Sequence, residues 1–128
     1  MKPEVAAAIE DLRMQFPSSA VTAVDDTAGG AYFFIEDVEL SGKFLPRRTW
    51  IGGRIVDGYP YADIYPIYIA GDVRRADGRP FEAPVTPGQN WQGRPAVQIS
   101  RANRNVQTSP QTARSKILKI LHFLETLP

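Results

Sequence analysis

Cysteine is absent from all 128 positions, and histidine occurs once, as His122. Without cysteine there are no disulfides, no zinc-thiolate sites and no iron–sulfur clusters. Thiolate nucleophiles are excluded with them. A single histidine rules out a histidine-rich metal site, and neither a metal nor a cofactor is expected. A cysteine-free chain fits a reducing compartment, so a cytoplasmic location is expected. No apolar run approaches the roughly 18–20 residues that a helix needs to cross a bilayer. Met1-Lys2-Pro3-Glu4 opens an amphipathic stretch rather than the apolar core of a signal peptide. No glycine-rich loop ends in Lys-Ser or Lys-Thr, so nucleotide hydrolysis is not expected. Internal repeats and low-complexity tracts are also missing.

Acidic residues are missing from one long region. Ala83 to Leu124 holds no Asp or Glu but carries Arg94, Arg101, Arg104, Arg114, Lys116 and Lys119, a local charge of +6. The first 82 residues hold 13 acids against 9 bases, or −4, and the whole chain carries only +1. Such asymmetry points to a basic face that meets an acidic partner or phosphate, unless the fold interleaves the two halves. Hydrophobic residues at 43% and charged residues at 23% are ordinary for one globular domain spanning residues 1–128.

The spacing predicts a helix over Pro3–Phe16, with Val5, Ile9, Leu12 and Phe16 on one face. Pro17-Ser18-Ser19 stops it. Strands are expected at Ala20–Val24, Ala31–Leu40, Arg48–Val56 and Ile64–Ala70, and Asp25–Gly30, Ser41–Lys43 and Asp57-Gly58 separate them. Gly52-Gly53 inside the third strand marks a bulge or a close backbone approach. Gly71–Gly93 is rich in Gly and Pro and reads as one long loop. Ala96–Ser100 is a short extended piece, and Arg101–Ser109 reads as a loop. Ala113, Ile117, Ile120, Leu121, Leu124 and Leu127 line one face of a final helix over Pro110–Leu127, with Ser109 as its N-cap. The order is helix, antiparallel meander of three to four strands, long loop, helix, which is an α+β fold.

Several clusters carry possible chemistry. Asp25-Asp26 and Glu36-Asp37-Glu39 could hold Mg²⁺, but adjacent acids in turns are more often solvated, and that reading is preferred. His122 sits mid-helix between Leu121 and Phe123 and reads as a surface residue rather than a general base. Trp50, Tyr59, Tyr61, Tyr65 and Tyr68 read first as sheet packing, with a contact surface as the alternative. Trp91, in a polar Gly/Pro stretch, either pins that stretch to the core or anchors a partner. Arg101, Arg104, Asn103 and Asn105 follow closely. With Trp91 they could contact phosphate and base, but six bases on a near-neutral chain make that nucleic-acid reading the weaker one.

Tyr59-Pro60 with Pro66 nearby, and Thr86-Pro87-Gly88 followed by Gly93-Arg94-Pro95-Ala96-Val97-Gln98-Ile99, resemble the ubiquitin-conjugating (E2) family. The element order is similar too, and the resemblance covers roughly residues 1–127. In that family a His-Pro-Asn tripeptide precedes the catalytic cysteine, which lies in a Gly-x-x-Cys-Leu-x-Ile-type segment. Here Thr86-Pro87-Gly88 stands at the tripeptide, and the seven residues 89–95 separate Gly88 from Ala96 at the cysteine position. The chain departs from the pattern in its second proline, which is delayed, and in the long stretch between Tyr59 and Thr86.

The resemblance implies an E2-like (UBC-like) domain of the compact bacterial kind, found beside ubiquitin-like proteins and E1-like enzymes. Ala96 cannot carry a thioester, and Gly88 lacks the amide that the family uses at the oxyanion. The expected function is therefore a binding component, or pseudo-E2, for a ubiquitin-like protein, an E1-like enzyme or an active E2. Thr86, Pro87, Gly88 and Ala96 form its vestigial site, and Tyr59, Pro60, Trp91, Arg94, Arg101 and Arg104 are its candidate contacts. Two alternatives stay open. One is a true conjugating enzyme whose cysteine was replaced at Ala96. The other is an adaptor or nucleic-acid-binding module unrelated to ubiquitin.

Overall fold

A computed structural model describes all residues from Met1 to Pro128. Helix α1 (Pro3–Gln15) opens the chain, with Pro3 in its first turn, where the missing N–H costs nothing. Strands β1 (Val21–Asp25), β2 (Ala31–Glu39), β4 (Arg48–Ile55) and β5 (Ile67–Ala70) follow as an antiparallel meander, with the short β3 (Phe44–Leu45) between β2 and β4. Next come β6 (Arg74–Arg75), β7 (Val85–Trp91), β8 (Arg94–Ile99) and helix α2 (Ala113–Glu125). The main sheet has six strands in the order β1-β2-β4-β5-β8-β7, and β3 pairs with β6 as a separate ribbon. No helix is long and apolar enough to cross a membrane.

Alternation along the strands gives the sheet two different faces. Phe33, Ile35, Ile51, Ile55, Ile67, Ile69, Val97 and Ile99 are all fully buried and point to one side. Val5, Ile9 and Leu12 of α1 and Ile117, Ile120 and Leu124 of α2 close over that side in a single apolar cluster. Gly53 lets β4 pass close beneath Ile64 and Ile67, since a Cβ there would stand 3.1 Å and 3.0 Å from their side chains and make them shift.

The α+β class and the two helices agree with the sequence reading, but the loop does not. Gly71–Gly93 contains β6 and β7; β7 and β8 extend the four-strand meander to a sheet of six, and β6 pairs with β3 outside it. Pro87-Gly88 made this stretch look irregular. It is instead a β-bulge, where the β7–β8 register slips between Thr86 and Gln89. The last helix begins at Ala113, not Pro110, and its cap is Thr112, whose hydroxyl accepts the Ser115 N–H at 3.1 Å. Ser109 is not a cap because Gln111, just beyond it, is drawn inward. The Gln111 side chain donates to Asp63 at 2.6 Å and accepts from Asn103 at 2.8 Å.

Candidate functional site

The segment from Thr86 to Ala96 is a β-hairpin. Gln92 and Gly93 form its two-residue turn with φ of +50° and +77°, the all-positive geometry that matches strand twist and favours glycine. Trp91 and Arg94 face each other across this turn. The tip curls over the open face of the sheet, on the side away from the helices. Trp91 stacks on Tyr68 at 4.7 Å between ring centres with an 11° interplanar angle, and tilts against Phe34 at 5.1 Å. Trp50 and Tyr32 lie within 6.3 Å and 6.2 Å of the same ring. The Trp91 ring rests on Gly52, where any Cβ would stand 2.7 Å from it.

Arg94 completes the layer. Its guanidinium lies 3.9 Å above the Phe34 ring and 5.3 Å from Trp50, and it donates to both carboxylate oxygens of Glu36. A cation held against two rings and a carboxylate is well positioned for stacking and charge pairing. These rings are mostly half-buried rather than sealed, so the layer is both a second small core and an accessible surface. Burial pushes the Tyr68 hydroxyl above its ordinary pKa.

Ala96 lies mid-strand in β8, paired with Ala70 of β5 and Gln89 of β7. Its methyl points to the open face, yet the residue is only 1% exposed. Thr86 is exposed on the edge strand opposite Gln98, and Pro87 and Gly88 form the bulge. Trp91, Arg94, Ala96 and Thr86 therefore share one hairpin.

The remaining predicted residues lie elsewhere. The Arg101 guanidinium packs 4.5 Å over the Phe123 ring of α2, on the helix-covered side of the sheet. It therefore does not stand beside Ala96, because the chain leaves β8 and crosses to the helix layer. Arg104 is exposed in the following loop. Tyr59 holds the start of α2, its hydroxyl accepting the Ala113 N–H at 3.0 Å, and burial raises its pKa. Tyr59 and Pro60 line a groove between α1 and the approach to α2, with Glu4, Ala7, Asp11 and Pro110. Tyr61 and Tyr65 are 57% and 49% exposed and join no ring cluster.

Two features escaped the sequence reading. One is the role of Tyr32, Phe34, Gly52 and Glu36 beneath the hairpin tip. The alternation in Tyr32-Phe33-Phe34-Ile35 and the expected close approach at Gly52 were signals for it. The other is a buried polar knot around Lys116, a residue only 3% exposed. Its ammonium bonds Asp63 at 3.0 Å and the Arg101 carbonyl at 2.8 Å, while Asp63 also accepts the Asn103 N–H at 2.7 Å. Burial lowers the Lys116 pKa, and the Asp63 partner opposes that shift. The paired acids of the β1–β2 turn serve the backbone. Asp26 accepts the Ala28 and Gly30 N–H groups, each at 2.8 Å, and Asp25 accepts that of Thr27 at 2.8 Å. These N–H donors are the main reason both carboxyls titrate below their ordinary range.

Ser100 Oγ accepts a hydrogen bond from the Gln98 side chain at 2.9 Å, and His122 is exposed on α2. The arrangement offers surfaces to bind with. No family model, curated protein or solved structure matches the chain.

Proposed function

We propose that this chain is an E2-like binding component of a bacterial ubiquitin-like conjugation system. It carries no thioester, and it engages a ubiquitin-like protein, an E1-like enzyme or an active E2. The observation that carries the non-catalytic part is the setting of Ala96, which has no heteroatom and is 1% exposed within a paired strand. A nucleophile must let the reacting carbonyl carbon approach to within about 3–3.5 Å before bonding. A side chain placed like that of Ala96 gives no such approach. Thr86 and Gly88 bring no preorganised amide to a developing oxyanion. The E2-like part is supported by the order of helix, meander, Thr86–Ala96 segment and C-terminal helix, and by the motifs that carry the resemblance. The alternative of a native cysteine lost at Ala96 requires an open position there, so the burial favours binding over conjugation.

The test sets the Ala96→Cys variant beside the unaltered chain, with ATP and the host's E1-like enzyme and ubiquitin-like protein, with and without reductant. Binding by both forms and no adduct is the expected result. The thiol introduced at Ala96 should react with a disulfide reagent at least roughly tenfold more slowly than one introduced by Thr86→Cys, because access limits thiol chemistry. A reductant-sensitive adduct would overturn the non-catalytic reading and restore the conjugating enzyme. No binding by either form, with E1-like activity confirmed, would remove the link to ubiquitin and leave the unrelated adaptor.

A further inference from the structure

The outward side of α2 is a second surface with a distinct chemistry. A groove of about 580 Å³ is lined by Arg101, Ser115, Leu118, Lys119, His122, Phe123 and Thr126. Beyond Ser115 and Lys119 it continues into a polar groove of about 390 Å³ beside Asn103, Asn105, Ser109 and Thr112. Neither groove has a carboxylate in its lining. Two acids stand nearby: Asp63, largely buried and bonded to Lys116, Gln111 and Asn103, and the exposed Glu125 at the C-terminal end of α2. Arg101 and Lys119 form no ion pair, unlike Arg94 with Glu36 and Arg54 with Asp26, so both are available to an incoming carboxylate. Leu118 is 42% exposed in the middle of this charged wall, and the Phe123 ring, half-buried under Arg101, forms the floor. Of the six bases between Ala83 and Leu124, Arg101 and Lys119 line this groove, with Leu118 as an apolar foothold between polar neighbours.

We propose that this groove docks an acidic, extended peptide segment of a partner protein, with carboxylates at Arg101 and Lys119 and an apolar side chain against Leu118. The 13 residues of α2 extend about 20 Å at 1.5 Å per residue, enough to seat about six residues of extended chain. Nucleic acid fits less well. The Phe123 ring is already covered by Arg101, which leaves His122 as the one ring open to a base, a poor stacking platform for a strand. The inference rests on the reading of this chain as a binding component, and names the chemistry of one partner surface.

A decapeptide library displayed on beads, selected with the full chain, tests this. Enriched sequences should carry two or more carboxylates and one apolar residue. By fluorescence anisotropy the best of them should lose at least tenfold in affinity with Arg101→Glu plus Lys119→Glu, and at least threefold with Leu118→Ser. Arg48→Glu, on the open face of the sheet, should leave it unchanged. Melting temperatures of these surface variants should match the parent's. No enrichment, or enrichment of basic peptides, overturns the proposal. Equal binding of a ten-nucleotide oligothymidylate overturns it in favour of phosphate. An acidic peptide indifferent to the Arg101 and Lys119 changes overturns the groove while leaving the binding function intact, and that function is judged separately by the Ala96→Cys comparison.

Discussion

The two faces of the sheet solve the same packing problem with different materials. Beneath the helices the strands present isoleucine and valine, which bury completely and leave no polar atom to satisfy. On the open face the same strands present Tyr32, Phe34, Trp50 and Tyr68, and the cover is a hairpin tip contributed by the sheet itself. Aromatic rings suit a half-wet layer because their faces pack while their edges and polar atoms reach water. An arginine can roof such a layer because its guanidinium stacks on rings and keeps a carboxylate partner. The inner face therefore holds the fold, and the open face is a thinner, half-wet layer laid over it.

The largest break should come from the inner face. Ile69, fully buried at the centre of β5, should cost about 3–4 kcal/mol as Ile69→Ala, read from urea unfolding. A loss below about 1 kcal/mol would mean that this face is loosely packed and that the contrast between the faces fails. The polar knot at its edge comes next. Lys116→Met leaves Asp63 without its ammonium partner and should cost about 3 kcal/mol, and adding Asp63→Asn, which removes the stranded charge but keeps an acceptor, should recover part of that. Because burial lowers the Lys116 pKa, the unfolded chain holds this proton more tightly. The contribution of Lys116 to stability therefore rises with pH between the lowered folded value and the ordinary 10.5, and Lys116→Met should flatten that rise.

The inner face was legible in the sequence because its signal is periodic. Val5, Ile9 and Leu12, and Ile117, Ile120 and Leu124, announce helix stripes, and Ala31–Leu40 announces a central strand. The open face was only partly legible. Trp91 was recognised as out of place among polar residues, and Gly52 as a point of close approach. Their meeting depends on β8 lying beside β5, which no local pattern encodes. The β7–β8 hairpin was hidden because Pro87-Gly88 reads as loop chemistry, although Gln92-Gly93 between Trp91 and Arg94 is a two-residue turn signal. Lys116 and Asp63 are separated by 53 positions, so their burial as a pair could not be read from spacing.

Smaller changes sharpen the open side. Gly52→Ala places a Cβ 2.7 Å from the Trp91 ring and 2.8 Å from the Phe33 carbonyl. It should cost about 1–2 kcal/mol and shift tryptophan emission to the red as the hairpin tip lifts. In a Trp91→Ala background the part of this cost that comes from the ring should vanish, so the two changes should be non-additive by about 0.5 kcal/mol or more. Additivity would mean that Trp91 does not rest on Gly52.

Arg94 should matter least to stability. Its side chain is 37% exposed, so solvent screens the Glu36 pair, and Arg94→Ala should cost only about 0.5–1 kcal/mol. A double-mutant cycle with Glu36→Gln should give a coupling that shrinks in 1 M salt, while the stacking of Arg94 on Phe34 should persist. A coupling unchanged by salt would place the pair in a dry interior, and the open face would then be a second core rather than a surface. The same cycle thus decides whether the hairpin tip is available to a partner or belongs only to the fold.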